Sequence, residues 1–180
     1  THDQINSNSK ETFILINNWF MMFYLITVLL GTLYPIFTYA ISNNKISVGP
    51  PFYNSVIIPV VVIFLFFMAI GPNVKWIKNK FINFKIYLLI FLAAALLNFF
   101  IFSFFKSYSV ISNLIIISSL FLILSSFLDF FQKSKINLSR IVSHLSFGFL
   151  IFFIGLNHNF SIEKDFNLKL GETKKIDNYK

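Results

Sequence analysis

The sequence contains no cysteine, which excludes a disulfide framework, thiol chemistry and any thiolate-based metal site. Charge is scarce as well: 12% of the 180 residues are charged, whereas 56% are hydrophobic, the composition of a membrane protein rather than of a soluble domain. Acid is scarcer than base, with seven Asp and Glu against fifteen Lys and Arg and a formal net charge of +8. The basic residues fall in connectors between apolar runs, as orientation signals do, so no nucleic acid partner is expected. Glycine-rich phosphate loops, His/Glu metal motifs and serine nucleophile elbows are absent. No carboxylate pair lies inside an apolar run, which removes the usual acid–base and proton-pumping schemes. The spans do not pair into the matching halves of a transporter. The opening "THDQINSNSKET" lacks the basic-then-apolar order of a cleavable signal peptide, and a start at Thr1 rather than Met is expected of a processed product or a fragment.

What is abundant is apolar sequence in long runs. A hydrocarbon core of about 30 Å takes roughly 20 helical residues to cross, and five segments qualify: about 19–40, 52–70, 86–105, 110–131 and 138–156. Only a helix satisfies the backbone of an isolated segment in lipid, and period-2 alternation is missing, so a barrel is not expected. The fold class expected is therefore an all-α membrane protein of about five transmembrane helices, with residues 157–180 opening a small exported segment. Gly71 and Pro72 stop the second span, and Pro35 predicts a kink in the first.

Short connectors set the orientation. Lys10, then Lys75, Lys78, Lys80 and Lys85, then Lys133, Lys135 and Arg140 lie on one side, against Lys45 and Lys106 on the other. Eight against two places the amino terminus in the cytoplasm or matrix, and residues 41–51, 106–109 and 157 onward outside.

His144, in "SRIVSHLSFGFLIFFIG", stands about six residues into the fifth span, where an ionisable group is costly and turns toward the protein interior. Two readings remain open at this point. The imidazole is satisfied by an interhelical hydrogen bond near Ser143 and Ser146, or it is a cofactor ligand, since neutral imidazole is a strong axial donor to haem iron. Gly148, one turn later, and Gly155, two turns beyond that, let either a neighbouring helix or a flat macrocycle approach. His2 and His158 lie at polar or outer positions and read as solvated. Asp129 closes the fourth span near Lys133 as an interfacial anchor or local ion pair. A further segment, "KISVGPPFYN" over residues 45–54, crowds Gly49, Pro50 and Pro51 before Phe52, Tyr53 and Asn54. It reads as a rigid turn, with local freedom at Gly49 and fixed φ at the prolines, followed by an interfacial aromatic anchor.

Residues 31–54, "GTLYPIFTYAISNNKISVGPPFYN", resemble the CcmF family, the haem lyase component of the cytochrome c maturation system. "SKETFILINN" at 9–18 is similar to that family's entry to the span, with Lys10 where Arg is usual, and "IGP" at 70–72 fits the same pattern. "SHLSFGFLIFFIGLNHNFSIEKDFNLKLGET" at 143–173 resembles the segment whose histidine is an axial ligand of a membrane b-type haem. Residues 80–140 match only as hydrophobic spans, and His158 has no counterpart.

The resemblance implies a subunit or fragment of a cytochrome c haem lyase. Such a protein assists covalent haem attachment to apocytochrome c on the outer face of the membrane, with haem b as cofactor and His144 on its iron. Gly49, Pro50, Pro51, Phe52, Tyr53 and Asn54 would then form a supporting loop on the face where haem is delivered. The tryptophan-rich WWD motif, its flanking histidines and the second membrane histidine are missing from the chain. A carboxy-terminal piece is therefore expected, with no catalytic residue of its own and with the WWD-bearing remainder, a haem carrier protein, apocytochrome c and the lipid membrane as partners. The membrane implied is a bacterial inner membrane or the mitochondrial inner membrane. The alternative is a non-catalytic scaffold or truncated product without bound haem.

Overall fold

A computed structural model describes residues 10–43, 45–74, 84–103, 109–132 and 137–160. Within them the chain forms five helices, α1 (Lys10–Ser42), α2 (Pro50–Ile70), α3 (Phe84–Ser103), α4 (Val110–Gln132) and α5 (Leu138–Phe160), with no strand among the described residues. All five are long and apolar enough to cross a membrane, and the protein is an integral membrane protein of the all-α class. His2 and residues 161–180, from the segment expected to be exported, lie outside the described residues.

Helix α1 begins at Lys10, nine residues before the apolar run. Asn17 and Asn18 lower the hydropathy without breaking a helix, so a hydropathy reading starts too late. At 1.5 Å per residue its 33 residues reach about 50 Å. Pro35 sits inside α1, which continues past it to Ser42. The helix ends on Asn43, whose φ of 52° is left-handed and whose N–H donates to the Tyr39 carbonyl at 3.0 Å. Helix α5 similarly runs past the expected end at 156, and residues 157–160 continue the helix.

The "VGPP" stretch has a local explanation that differs from the expected one. Gly49 is the N-cap of α2 at φ −101°, ψ −179°, extended backbone open to any residue, so its special freedom is not used. Pro50 and Pro51 are the first helical residues. They lack N–H groups where the helix has no acceptor for them, and their fixed φ suits the first turn. The prolines therefore start a helix rather than stiffen a loop. At the other end α2 stops at Ile70, and Gly71–Asn73 add one 3-10 turn closed by Val74 N–H to the Gly71 carbonyl at 3.2 Å.

Helix α4 is the hub, packing against α5, α2 and α3, whereas α1 packs chiefly on α2. Its buried face carries Ser112, Ser118, Ser119, Ser125 and Ser126 beside Ile116, Leu120 and Leu122. Small residues let neighbouring backbones come close. Four of these hydroxyls donate to carbonyls of their own helix, such as Ser118 to Leu114 at 2.8 Å and Ser126 to Leu122 at 2.8 Å, which removes the cost of burying them. The facing helix α5 supplies notches at the same contact. A Cβ on Gly148 would lie 2.8 Å from Ile123 Cγ1, and one on Gly155 2.9 Å from Ile115 Cγ2. Of the two approaches that these glycines allow, the structure shows that of a neighbouring helix.

Candidate functional site

Three helix ends converge on one side of the bundle: the start of α1, the end of α2 and the start of α5. Between them lies an open cleft of about 260 Å³ whose lining includes Lys10 and Asn17 of α1, Phe64, Phe67 and Met68 of α2, and Arg140 and His144 of α5. An aromatic ladder forms its wall. Phe13 meets Phe67 edge-on at 5.6 Å, Phe20 meets Phe64 at 5.1 Å, and Phe64 meets Phe147 of α5 at 6.2 Å. These edge and tilted pairs are favourable geometries for rings, and they tie α1 and α5 to α2 on either side of the imidazole. His144 is half-buried, and no hydrogen bond from Ser143 or Ser146 to it is recorded among the described residues; Ser143 Oγ instead donates to the Ser139 carbonyl at 2.8 Å.

Beside the cleft lies a polar cluster that the sequence did not disclose. Asn73 Nδ2, delivered by the turn after α2, donates to the Tyr87 hydroxyl of α3 at 2.6 Å and to Asp129 Oδ1 of α4 at 2.9 Å. The other oxygen of Asp129 faces Arg140 Nη2 of α5 at 3.6 Å. Asp129 is buried, and such a carboxylate is tolerated when it is both paired and hydrogen-bonded. Lys133, the partner expected from sequence, lies outside the described residues; among those described, Asp129 pairs with Arg140. The pair is separated by 11 positions across the α4–α5 connection, so spacing along one helix could not reveal it. Arg140 and His144 are four residues apart on α5, which puts their Cβ atoms about 5–6 Å from each other. The cluster therefore fixes the helix turn that carries the imidazole.

The segment Gly49–Asn54 is not brought to this cleft. It occupies the opposite end of α2, with Tyr53 roughly 20 Å along the helix from Phe67. There Phe52 and Tyr53 stack edge-on at 5.3 Å, and the phenol of Tyr53 packs on Gly31 of α1. His158 is partly exposed in the last turn of α5, remote in sequence and along the helix from His144.

The donor set fits one side of a haem. It offers one imidazole, flat apolar walls and cations at one edge, with no sulfur ligand other than the thioether of Met68. Pockets that enclose a small molecule hold about 300–1,000 Å³, so an open cleft of about 260 Å³ is too small to surround a macrocycle. Among the described residues no group of three or more His, Cys, Asp or Glu is placed to hold a free metal ion.

The architecture and cleft define an integral membrane helical bundle with a half-buried histidine in an aromatic-walled cleft. The chain is similar to the cytochrome c-type biogenesis protein CcmF of Haemophilus influenzae, 25% identical over 99% of this chain and 30% of the relative. It is also similar to that of Escherichia coli K12, 26% identical over 96% of the chain and 28% of the relative. A shorter stretch, 38% of the chain, is 43% identical to CcmF of Pseudomonas fluorescens. No family model and no solved structure matches. The chain is thus similar along its whole length to CcmF proteins of cytochrome c-type biogenesis, and it spans less than a third of the length of the relatives that it matches from end to end.

Proposed function

We propose that this chain is the part of a cytochrome c haem lyase that holds one side of a membrane b haem, in support of covalent haem attachment to apocytochrome c. The observation that carries the proposal is His144 in a cleft walled by aromatic rings and edged by cations. A bound haem would supply one-electron chemistry within the membrane. His144 would hold one axial position, Phe64 and Phe67 would exclude water and lower the local dielectric, and Asp129 would fix the α5 turn through Arg140. The second axial ligand and the WWD haem-presenting surface would come from the remainder of the lyase, with a haem carrier protein and apocytochrome c as its other partners. The segment Gly49–Asn54, the N-cap and first turn of α2, would shape the outer face in place of the expected supporting loop. By the placement of lysines the amino terminus faces the cytoplasm or matrix, in a bacterial cytoplasmic or mitochondrial inner membrane, and residues 157 onward lead to the exported side.

The test is a reduced-minus-oxidised spectrum with haem quantified per chain, taken on the complex with the WWD-bearing partner and on the same complex carrying His144→Ala. A b-type signal lost in the variant while the complex stays assembled supports the ligand role. Equal haem in both assigns His144 to packing and leaves the chain as a scaffold.

A further inference from the structure

Asp129 and Arg140 are opposite charges beside the cleft, and water screens neither of them fully, because their side chains are only 11% and 27% exposed. Charges in such surroundings act over longer distances than charges on a hydrated surface. The pair is anchored from outside the cleft. Asn73 Nδ2 donates to Asp129 Oδ1 at 2.9 Å and is itself fixed by the Tyr87 hydroxyl at 2.6 Å, which leaves Asp129 Oδ2 to face Arg140 Nη2 at 3.6 Å. Arg140 then lines the cleft together with His144, one helical turn on. A buried ion pair adds little stability over well-packed apolar side chains, since desolvation offsets the attraction. Packing alone therefore does not call for an acid and a base at this junction. Lys10, the other cation lining the cleft, has an interaction of its own within the protein, and it stays the same in every variant that bears on the pair.

We infer that Asp129 and Arg140 form a charge-balanced pair that sets the electrostatic potential at His144, and through it the midpoint potential of the metal centre that the imidazole carries. The inference rests on the haem reading of His144. Reduction of a ferric haem adds one electron and lowers its charge by one, so a nearby positive charge favours the ferrous form and a nearby negative charge the ferric form. Arg140 alone would push the equilibrium one way and Asp129 alone the other. Held side by side they largely cancel, and the imidazole and its apolar wall are left to set the potential. Charge, hydrogen bonding and burial around a haem are levers that a protein has on its potential. Both residues are positioning residues, because each acts through its charge and its hold on the α5 turn rather than by touching the iron.

The experiment is a redox titration, against mediators of known potential, of the complex with the WWD-bearing partner. Asp129→Asn keeps an acceptor for Asn73 and removes the negative charge; it is expected to shift the ferrous-to-ferric ratio at fixed potential about tenfold toward ferrous, a rise of about 59 mV for one electron. Arg140→Gln is expected to shift it about as far toward ferric, and the double variant to return close to wild type. Arg140→Lys retains the charge and should leave the potential nearly unchanged, which separates charge from shape. Arg140 is the more exposed partner, so Arg140→Gln and Arg140→Lys carry the test by themselves if Asp129→Asn does not assemble. Should Arg140→Gln leave the potential where it was, or shift it in the same direction as Asp129→Asn, while His144→Ala still loses the haem, the electrostatic role is overturned and the ligand role of His144 stands. If His144→Ala leaves haem binding unchanged, both fall together.

Discussion

The phenol of Tyr53 on α2 fills the space that a side chain at Gly31 on α1 would occupy. This contact explains two features of the sequence at once. "GTLYP" contributes the notch and "PPFYN" the knob, and the prolines at the start of α2 set the height at which the knob meets it. Enlarging Gly31 should therefore harm α1 specifically. Gly31→Val is expected to destabilise the α1–α2 pair by about 1–3 kcal/mol, the usual cost of overpacking. Tyr53→Ala in the same chain should recover part of it. Thermal unfolding in detergent, read against each single variant, checks the compensation; an additive loss would show that the two residues do not meet.

A comparable exchange is expected at the seam of α4 and α5. Gly148→Ala places a methyl against Ile123 and should cost about 1–3 kcal/mol, while Ile123→Ala opens room for it. The double variant is expected to be more stable than the sum of the single losses, with a coupling of about 0.5–3 kcal/mol measured as a double-mutant cycle.

Asp129 should matter more than an interfacial acid ordinarily does. Asp129→Ala removes the acceptor of Asn73 Nδ2 and the counter-ion of Arg140 in one step. The expected loss is about 1.5–3 kcal/mol, the range for hydrogen bonds to charged groups. Asn73→Ala should lose less, because it leaves the ion pair in place. Denaturation midpoints of the two variants in one detergent give the ranking.

Between α3 and α4, Asn98 Nδ2 donates to Asn113 Oδ1 at 2.9 Å, and Asn113 Nδ2 returns to the Ser109 carbonyl at 3.0 Å. Asn98 is buried and its Oδ1 has no partner. Interhelical hydrogen bonds of this kind in membranes average about 0.6 kcal/mol, so Asn98→Leu is expected to be nearly neutral, despite removing an amide pair. A loss above about 2 kcal/mol would mean that Asn98 Oδ1 serves a further group, which a search for an ordered water there would identify.

The number and type of the spans were legible because lipid allows an isolated apolar segment only one backbone solution. The Gly71–Pro72 stop was legible for a similarly local reason. Four things were hidden. The start of α1 at Lys10 escapes a hydropathy reading because Thr12, Asn17 and Asn18 are polar without being helix-breaking, yet Lys10 and Asn17 help line the cleft. The central place of α4 was written in Ser112, Ser119 and Ser126, seven residues apart on one face, a spacing that marks a helix seam but is diluted by the surrounding leucines and phenylalanines. The contact of Asp129 with Asn73 and Arg140 joins residues 56 and 11 positions apart, and only the closed bundle brings them together. His144 was legible as an ionisable residue in an apolar run; its aromatic wall, drawn from two other helices, was not.

The central position of α4 also dictates an order of assembly. Helices α2 and α3 each pack on α4, which follows both of them along the chain. During synthesis α1, α2 and α3 therefore emerge before the helix that α2 and α3 pack against exists. The bundle gains its core when the serine-faced helix arrives, and α5 then closes over it through Gly148 and Gly155. The cleft around His144, bounded by α1 and α5, is accordingly completed only once α5 has packed.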